Sequence, residues 1–134
     1  MTDNTIYIAC AAILRGDGQT YLVRKTGSAI FQQPGGKIDA GETAVTALIR
    51  ELQEEIGLTL TSADLSPLGR FSAPAANEAG HLVVAEVFVA RHDGPLQVAA
   101  ELAEGRWIDP EAPPCDMQIA ALSRGEILPR LQAR

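Results

Sequence analysis

The segment from Gly36 to Leu58 constrains the fold of this chain more strongly than any other part. Five apolar residues recur there at the i, i+3, i+4, i+7 and i+11 positions of a helix: Val45, Leu48, Ile49, Leu52 and Ile56. They fall on one narrow stripe, which predicts an amphipathic helix packed against a core. Gly57 occupies the usual C-terminal stop position. A glycine turn at Pro34-Gly35-Gly36 is predicted to lead into the helix.

The same helix carries three carboxylates on the side that faces away from the apolar stripe. At 100° per residue, Glu51, Glu54 and Glu55 lie within an arc of roughly 100°. Like charges this close destabilise a helix, and Arg50 offsets part of the repulsion through its i,i+4 relation to Glu54. Oxygen-rich clusters suit Mg²⁺ or Mn²⁺, which bind a few carboxylates and keep water or phosphate oxygens in their other positions. The alternative is a solvated acidic helix face without a ligand.

The rest of the chain predicts strands on both sides of this helix. The apolar run 6–14 indicates a strand buried on both faces, and 20–24 returns as a second strand of a hairpin after a Gly-Asp-Gly turn signal. Residues 27–33 are predicted as a loop or a short strand. Later elements are predicted as strands at 65–72, 81–91 and 106–108 and as a second helix at 117–123, stopped near Gly125. Mixed strands with two helices indicate an α/β sandwich.

Composition narrows the classes of function. The chain has 134 residues with 46% apolar content, which fits one globular domain over 1–134. A net charge of −6 argues against a nucleic-acid polymer as partner, and an acidic protein that acts on an anionic substrate needs cations between the two. No signal-peptide or membrane-spanning pattern is visible, so a cytoplasmic protein is expected. Cys10 and Cys115 have no metal-ligand spacing and are predicted to be two buried thiols instead of a disulfide.

Residues 36–58 resemble the signature of the Nudix hydrolase family, G-x5-E-x7-R-E-U-x-E-E-x-G-U, in which U is an aliphatic residue. Every specified position is filled, by Gly36, Glu42, Arg50, Glu51, Leu52, Glu54, Glu55, Gly57 and Leu58. The resemblance implies a Nudix-type α/β/α sandwich with a mixed sheet, in which the signature forms a loop–helix–loop. It also implies metal-dependent hydrolysis of a nucleoside diphosphate linked to another group.

Carried over by position, the resemblance implies roles for the signature residues. The metal ligands, for Mg²⁺ or Mn²⁺, would be Glu51, Glu54, Glu55 and the carbonyl of Gly35. Glu51 is also the first candidate for the general base that activates water. Arg50 would orient Glu51 and the neighbouring carboxylates instead of touching substrate, and Glu42 would support the loop–helix geometry through hydrogen bonds.

A later loop often supplies one more acidic ligand in this family. Glu101 is predicted here, since it lies six residues before Trp107, as in the oxidised-nucleotide hydrolases of the family. Glu104 is a competitor, and Glu86 is a weaker one because it lies inside a strand pattern. A solvent-exposed loop glutamate without a ligand is the alternative for Glu101.

The substrate pocket lies outside the signature and is less constrained. Arg24 and Lys37 are candidates for contacts with phosphates, against the commoner alternative of surface salt bridges. The favoured substrate is a small nucleotide, most simply a nucleoside triphosphate that is hydrolysed to monophosphate and pyrophosphate. Gln33 stands where oxidised-guanine hydrolases commonly carry an aromatic residue, and no asparagine follows Trp107, which argues against specific 8-oxoguanine recognition.

Two other functions stay open. Pro74 lies sixteen residues past the signature, a spacing associated with ADP-ribose pyrophosphatases, so ADP-ribose or another nucleotide sugar is the first alternative. The second is a non-catalytic nucleotide sensor, which the complete set of signature carboxylates disfavours. The sequence is compatible with a monomer or a homodimer.

Overall fold

A computed structural model describes residues 4–99 and 101–131 of the chain. The strands are β1 (Thr5–Leu14), β2 (Thr20–Lys25), β3 (Phe31–Gln32), β4 (Gly35–Lys37), β5 (Ser66–Pro74), β6 (Leu82–Arg91) and β7 (Leu102–Ile108). Helix α1 covers Ala44–Ile56, and a 3₁₀ turn covers Ser62–Asp64. The C-terminal helix α2 joins a wide π-helical segment, Leu122–Ile127, to an α-helical end, Leu128–Leu131.

The strands of the described residues form one mixed sheet with β1 at its centre. Its order is β3-β2-β1-β6-β5, while β4 pairs with β1 and β7 pairs with β2. Strands β1 and β6 run parallel from Thr5–Leu82 to Leu14–Arg91. The predicted hairpin partner β2 meets β1 at the Leu14–Thr20 pair and then pairs along its length with β7.

Strand β1 divides the core between two helices, because successive side chains point to opposite faces of a sheet. Its odd-numbered residues Ala9, Ala11 and Ile13 pack with Leu48 and Leu52 of α1. Its even-numbered residues, such as Cys10 and Ala12, pack in a second cluster with α2. The sequence prediction of an α/β/α sandwich with a strand buried on both faces is therefore confirmed.

Helix α1 begins and ends as the sequence predicts. The side chain of Thr43 accepts a hydrogen bond from the backbone N–H of Thr46 at 3.1 Å and so satisfies one free donor of the first turn. Gly57 adopts a left-handed conformation with φ 68°, and its N–H bonds to the carbonyl of Gln53. Both ends of the helix that carries the carboxylates are thus fixed by local hydrogen bonds.

The prediction of a second helix at 117–123 is wrong in its bounds. Residues before the helix pair with β3 instead, since Phe31 N–H bonds to Gln118 O and Ala120 N–H bonds to Phe31 O, each at 2.8 Å. The helix then runs through Gly125 to Leu131. A Leu128 N–H to Ser123 carbonyl bond widens the helix just before Pro129, where a proline ring would collide with a normal turn.

The cysteine prediction is half wrong. Cys10 is a buried free thiol in β1, where burial raises its pKa to about 12, but Cys115 is a free thiol on the surface. Cys115 lies in a turn-rich connection between β7 and α2, in which its own neighbours Pro114 and Asp116 are not buried. In the described part of the chain, no helix combines the length and the apolar character needed to cross a bilayer.

Candidate active site

Two glycines bring the start of the signature into contact with the sheet and with α1. Gly35 and Gly36 belong to β4, antiparallel to Cys10 and Ala9 of β1, so the predicted glycine turn is in fact a short strand. A Cβ atom on Gly35, at φ 147°, would lie 2.2 Å from the carbonyl oxygen of Ala9. A Cβ atom on Gly36 would lie 2.5–2.7 Å from the carboxylate atoms of Glu51. Glycine is needed here for close approach and not for a turn.

Arg50 ties the loop before α1 to the helix itself. Its guanidinium donates to both carboxylate oxygens of Glu42, at 2.8 and 2.9 Å, and to Glu51 Oε1 at 2.9 Å. Glu42 also accepts from the backbone N–H of Asp39 at 3.0 Å. These contacts hold the pKa of Glu42 down at about 2 and raise that of Arg50, so both stay charged. The bidentate pair with Glu42 fixes the Arg50 guanidinium, which orients the Glu51 side chain through a single bond to Oε1.

Glu55 and Glu51 are carboxylates held partly out of water. Glu55 Oε1 accepts a hydrogen bond from the backbone N–H of Gly35 at 3.1 Å. Burial, reinforced by the charges of Glu51 and Glu101, raises the pKa of Glu55 to about 7, although Gly35 N–H and Lys25 act in the opposite direction. Burial also raises the pKa of Glu51, against the opposing effect of Arg50. Without a cation, both groups are costly to ionise.

These side chains line one open cleft of about 300 Å³, which we call the carboxylate cleft. Its walls are formed by Lys25, Gly35, Gly36, Lys37, Glu51, Glu54, Glu55 and Glu101. The five residues predicted as metal ligands are therefore brought together, and Glu54 is the exposed member of the helix set. Glu101 reaches the cleft because the backbone N–H of Thr26 bonds to its carbonyl at 2.8 Å and ties the loop to the end of β2.

The competing acidic residues lie elsewhere. Glu104 forms an ion pair with Arg24 at 3.1 Å, and Glu86 lies 3.6 Å from Arg70 across the β5–β6 ladder. Arg24 also donates to the carbonyl of Ser28 at 2.8 Å, so its guanidinium is engaged away from the cleft. Of the two predicted phosphate-binding residues, only Lys37 lines the carboxylate cleft.

Lys25 is a cleft residue that sequence reasoning missed. It occupies the last position of β2 and lines the cleft with Lys37. The two lysines are the cationic side chains among the cleft residues, facing four glutamates. Its position at the end of a strand was the available signal, but nothing in the sequence indicates which strand ends point toward the signature.

The donor set fits a divalent cation that is shared with a substrate. No group of three acidic, histidine or cysteine side chains within residues 4–99 and 101–131 lies close enough to enclose an ion. Mg²⁺ does not require such a cage, because it is usually held by one or two carboxylates together with water and substrate phosphates. Two partly buried carboxylates and an exposed one, in a cleft that two lysines also line, provide that arrangement.

A groove continues from the cleft along β4 toward α2. A cavity of about 90 Å³ shares Lys25, Gly35, Gly36 and Lys37 with the cleft and extends to Gln33 and Val83. A narrower cavity of about 40 Å³ follows, lined by Ile8, Cys10, Gln32, Gln33, Pro74, Ala76, Val83, Ala120, Leu122 and Ser123. We call it the helix-side cavity, since α2 closes it.

Known proteins resemble this chain in sequence and in fold. Over 77 residues it is 43% identical to an 8-oxo-dGTP diphosphatase of Haemophilus influenzae, a match that covers 54% of this chain and 57% of that protein. Over 105 residues it is 28% identical to an ADP-ribose pyrophosphatase of Methanocaldococcus jannaschii, covering 76% of this chain and 61% of the relative. The chain therefore spans about three fifths of the length of these relatives.

The fold is shared with solved structures at lower identity. The crystal structure of a MutT protein from Methanosarcina mazei Go1 superposes with a TM-score of 0.80 over 99% of this chain and 96% of that one, at 21% identity. A profile of the NUDIX domain matches residues 4–131, almost the whole chain. The sequence resemblance is thus confirmed, and this chain belongs to the Nudix family.

Proposed function

We propose that this protein is a divalent-metal-dependent pyrophosphohydrolase that cleaves a nucleoside triphosphate to a monophosphate and pyrophosphate. The observation that supports the proposal most is the meeting of Glu51, Glu54, Glu55 and Glu101 in one cleft with two lysines. The relatives named as diphosphatases and pyrophosphatases support the same reaction class. The cation is Mg²⁺ or Mn²⁺, both of which prefer carboxylate and phosphate oxygens.

The bound cations would neutralise the phosphate chain and lower the pKa of a bound water. In the proposed reaction, the oxygen of water attacks one phosphorus of the α–β anhydride, and the P–O bond to the other phosphate breaks. Glu51 accepts the proton of that water, and Arg50 holds its carboxylate in place from 2.9 Å. Lys25 and Lys37, which line the same cleft, bind phosphate oxygens, and Lys37 exchanges its 3.8 Å contact with Glu78 for them. Arg24, already paired with Glu104, is the weaker phosphate candidate.

The test compares the unsubstituted protein with Glu54→Gln on nucleoside triphosphates, ADP-ribose, other nucleotide sugars and dinucleoside polyphosphates in the presence of Mg²⁺. Products are separated by chromatography. Glu54 is exposed, so the substitution should leave the fold unchanged while turnover falls by at least about 100-fold. Near-normal turnover of Glu54→Gln at saturating Mg²⁺ would overturn the metal-ligand assignment.

A matched pair of substitutions tests the fifth ligand. Glu101→Gln removes a charge from the cleft, and Glu104→Gln makes the same chemical change at the ion pair with Arg24. Turnover should fall roughly tenfold or more for the first substitution and stay close to normal for the second. The reverse result would make Glu104 the ligand.

ADP-ribose cleavage is the second candidate, because Pro74 lies on the wall of the groove that leads away from the cleft. The relative of Methanocaldococcus jannaschii named as an ADP-ribose pyrophosphatase also favours it. Preferred release of AMP and ribose 5-phosphate from ADP-ribose in the same panel would select this reaction. If nucleotide raises the melting temperature but no compound is turned over, the protein is a non-catalytic nucleotide sensor instead.

A further inference from the structure

The loop that joins β5 to β6, residues 75–80, is fastened to two walls of the groove beside the carboxylate cleft. We call this loop the strap. Its base is closed by a hydrogen bond from the Ala75 N–H to the His81 carbonyl at 3.0 Å. Residues 75–78 line the cavity of about 90 Å³ that adjoins the cleft. A ligand that extends from the cleft into this cavity therefore meets the strap.

The first fastening is a hydrogen bond between the strap and the loop that joins β2 to β3. The hydroxyl of Ser28 donates to Asn77 Oδ1 at 2.8 Å. The same hydroxyl accepts from the Ile30 N–H at 3.1 Å, so its hydrogen is available to Asn77. The carbonyl of Ser28 accepts from the Arg24 guanidinium at 2.8 Å. The middle of the strap is thus attached to a loop that has its own hydrogen bonds.

The second fastening is an ion pair between the strap and β4. Glu78 Oε1 lies 3.8 Å from Lys37 Nζ. Glu78 is the acidic side chain among the residues that line this cavity, where Lys25 and Lys37 are the cationic ones. Lys37 also lines the carboxylate cleft, whereas Glu78 does not. Both side chains of the pair are exposed to water, so the pair is weak enough to exchange partners.

We propose that the strap is an autoinhibitory element, in which Glu78 occupies Lys37 until the phosphate chain of the substrate displaces it. The inference rests on the proposed function. Lys37 then binds a phosphate oxygen, and the Glu78 carboxylate turns into solvent. The apparent affinity for substrate is lowered by the fraction of molecules in which Lys37 is occupied. Asn77 is a positioning residue, because its bond to Ser28 keeps Glu78 within reach of the lysine.

Glu78→Gln tests the ion pair. The KM for the best nucleotide of the panel should fall about two- to fivefold with kcat little changed, since exposed ion pairs have effects of this size. Glu126→Gln is the matched control, because it removes the same charge from an ion pair of equal length, 3.8 Å, with Arg130 on α2. It should change neither value. Asn77→Ala should lower KM by a smaller factor and should add nothing to Glu78→Gln.

The same substitution in a Lys37→Gln background separates the ion pair from general repulsion. Any acidic charge near an anionic substrate raises KM, but Glu78 has no lysine to occupy in this background. We therefore expect Glu78→Gln to leave KM unchanged there. A KM that falls equally in both backgrounds, or that Glu78→Gln leaves unchanged or raises in the presence of Lys37, overturns the proposal while the proposed function stands.

A binding measurement decides if the unsubstituted protein turns over no compound, an outcome that removes the proposed function. The Kd of inorganic pyrophosphate in the presence of Mg²⁺ is then measured by calorimetry for the same variants. Binding that Glu78→Gln tightens about two- to fivefold, and only when Lys37 is present, supports the autoinhibitory contact. Binding that the substitution leaves unchanged, or no binding by any variant, overturns it.

Discussion

The carboxylate cleft and the helix-side cavity lie at opposite ends of one groove but satisfy their polar groups in opposite ways. In the cleft, Arg50 joins Glu42 and Glu51 through hydrogen bonds of 2.8–2.9 Å, and Glu55 holds the N–H of Gly35. In the cavity, Gln33 and Ser123 each leave a buried polar atom unpaired. The first region is organised by its own charged contacts, and the second leaves polar atoms without a partner in the described residues.

The difference follows from where each region's residues come from. The cleft is built mostly from one continuous segment, 35–55, whose helix and strand place the side chains relative to one another. The cavity is assembled from β1, residues 32–33, the end of β5, β6 and α2, most of which are far apart in sequence. A preorganised charged site can support one chemical step in many proteins of the same fold. A cavity built from distant elements can vary between those proteins without disturbing that step.

Of the substitutions outside the proposed metal ligands, Gly36→Ala is expected to lower turnover most, because it acts on the contact between β4 and Glu51. The added Cβ would lie 2.5 Å from Cδ of Glu51, so the carboxylate must move. We expect kcat to fall about 100-fold, since displacements of about 1 Å in a reacting group have effects of that size. Steady-state kinetics on the best nucleotide of the panel measure this loss.

Gly41→Ala is the matched control for this substitution. Gly41 lies at φ 84° in the loop that joins β4 to α1, and a Cβ there meets nothing within 4 Å. The left-handed backbone should cost roughly 1–2 kcal/mol of stability with little loss of kcat. Equal kinetic losses in the two variants would mean that loop strain, and not the Gly36–Glu51 contact, controls activity.

A smaller effect is expected from Glu42→Gln, which removes the charged partner of Arg50. The pKa of Glu42 is about 2 in the folded protein, below its ordinary value of 4.5, so the ionised pair stabilises the fold above pH 4.5 and is lost as pH falls toward 2. At pH 7 the variant should melt several degrees lower and turn over roughly tenfold more slowly. The difference in melting temperature from the unsubstituted protein should shrink between pH 4.5 and pH 2.

Asp17→Asn provides the comparison for Glu42→Gln. Asp17 also has a lowered pKa, caused by Arg15, but that pair lies on the β1–β2 turn away from the groove. We expect a small change in melting temperature and no change in turnover. Loss of activity in Asp17→Asn would show that general charge balance, and not the orientation of Glu51, explains the Glu42 result.

The same contrast explains what the sequence could predict. The 3.6-residue periodicity of α1 and the spacing of Glu51, Glu54 and Glu55 are local patterns. The helix and the face that carries the carboxylates could therefore be predicted from them. The bounds of α2 failed because residues 118–120 pair with Phe31, a tertiary contact that no local pattern reports. The cavity that Gln33 and Ser123 both line carried no signal, since the two residues lie ninety positions apart. Lys25 was missed for the same reason.

In the absence of a cation, Glu55→Gln should raise the melting temperature slightly, the opposite sign to the losses above, because it removes a carboxylate that burial makes costly to ionise. The pKa of Glu55 is raised to about 7 from 4.5, mainly by burial, so the folded protein loses stability as pH rises through that window. Because part of the carboxylate stays in water, the expected loss in the free energy of unfolding is roughly 1–2 kcal/mol. In EDTA at pH 8 the variant should therefore melt higher than the unsubstituted protein, and near pH 4.5 the two should coincide.

Glu54→Gln, at an exposed position, should show no such gain. A melting temperature of Glu55→Gln that follows the unsubstituted protein at every pH would mean that the cleft carries no such strain, and that the contrast with the helix-side cavity is one of residue origin alone.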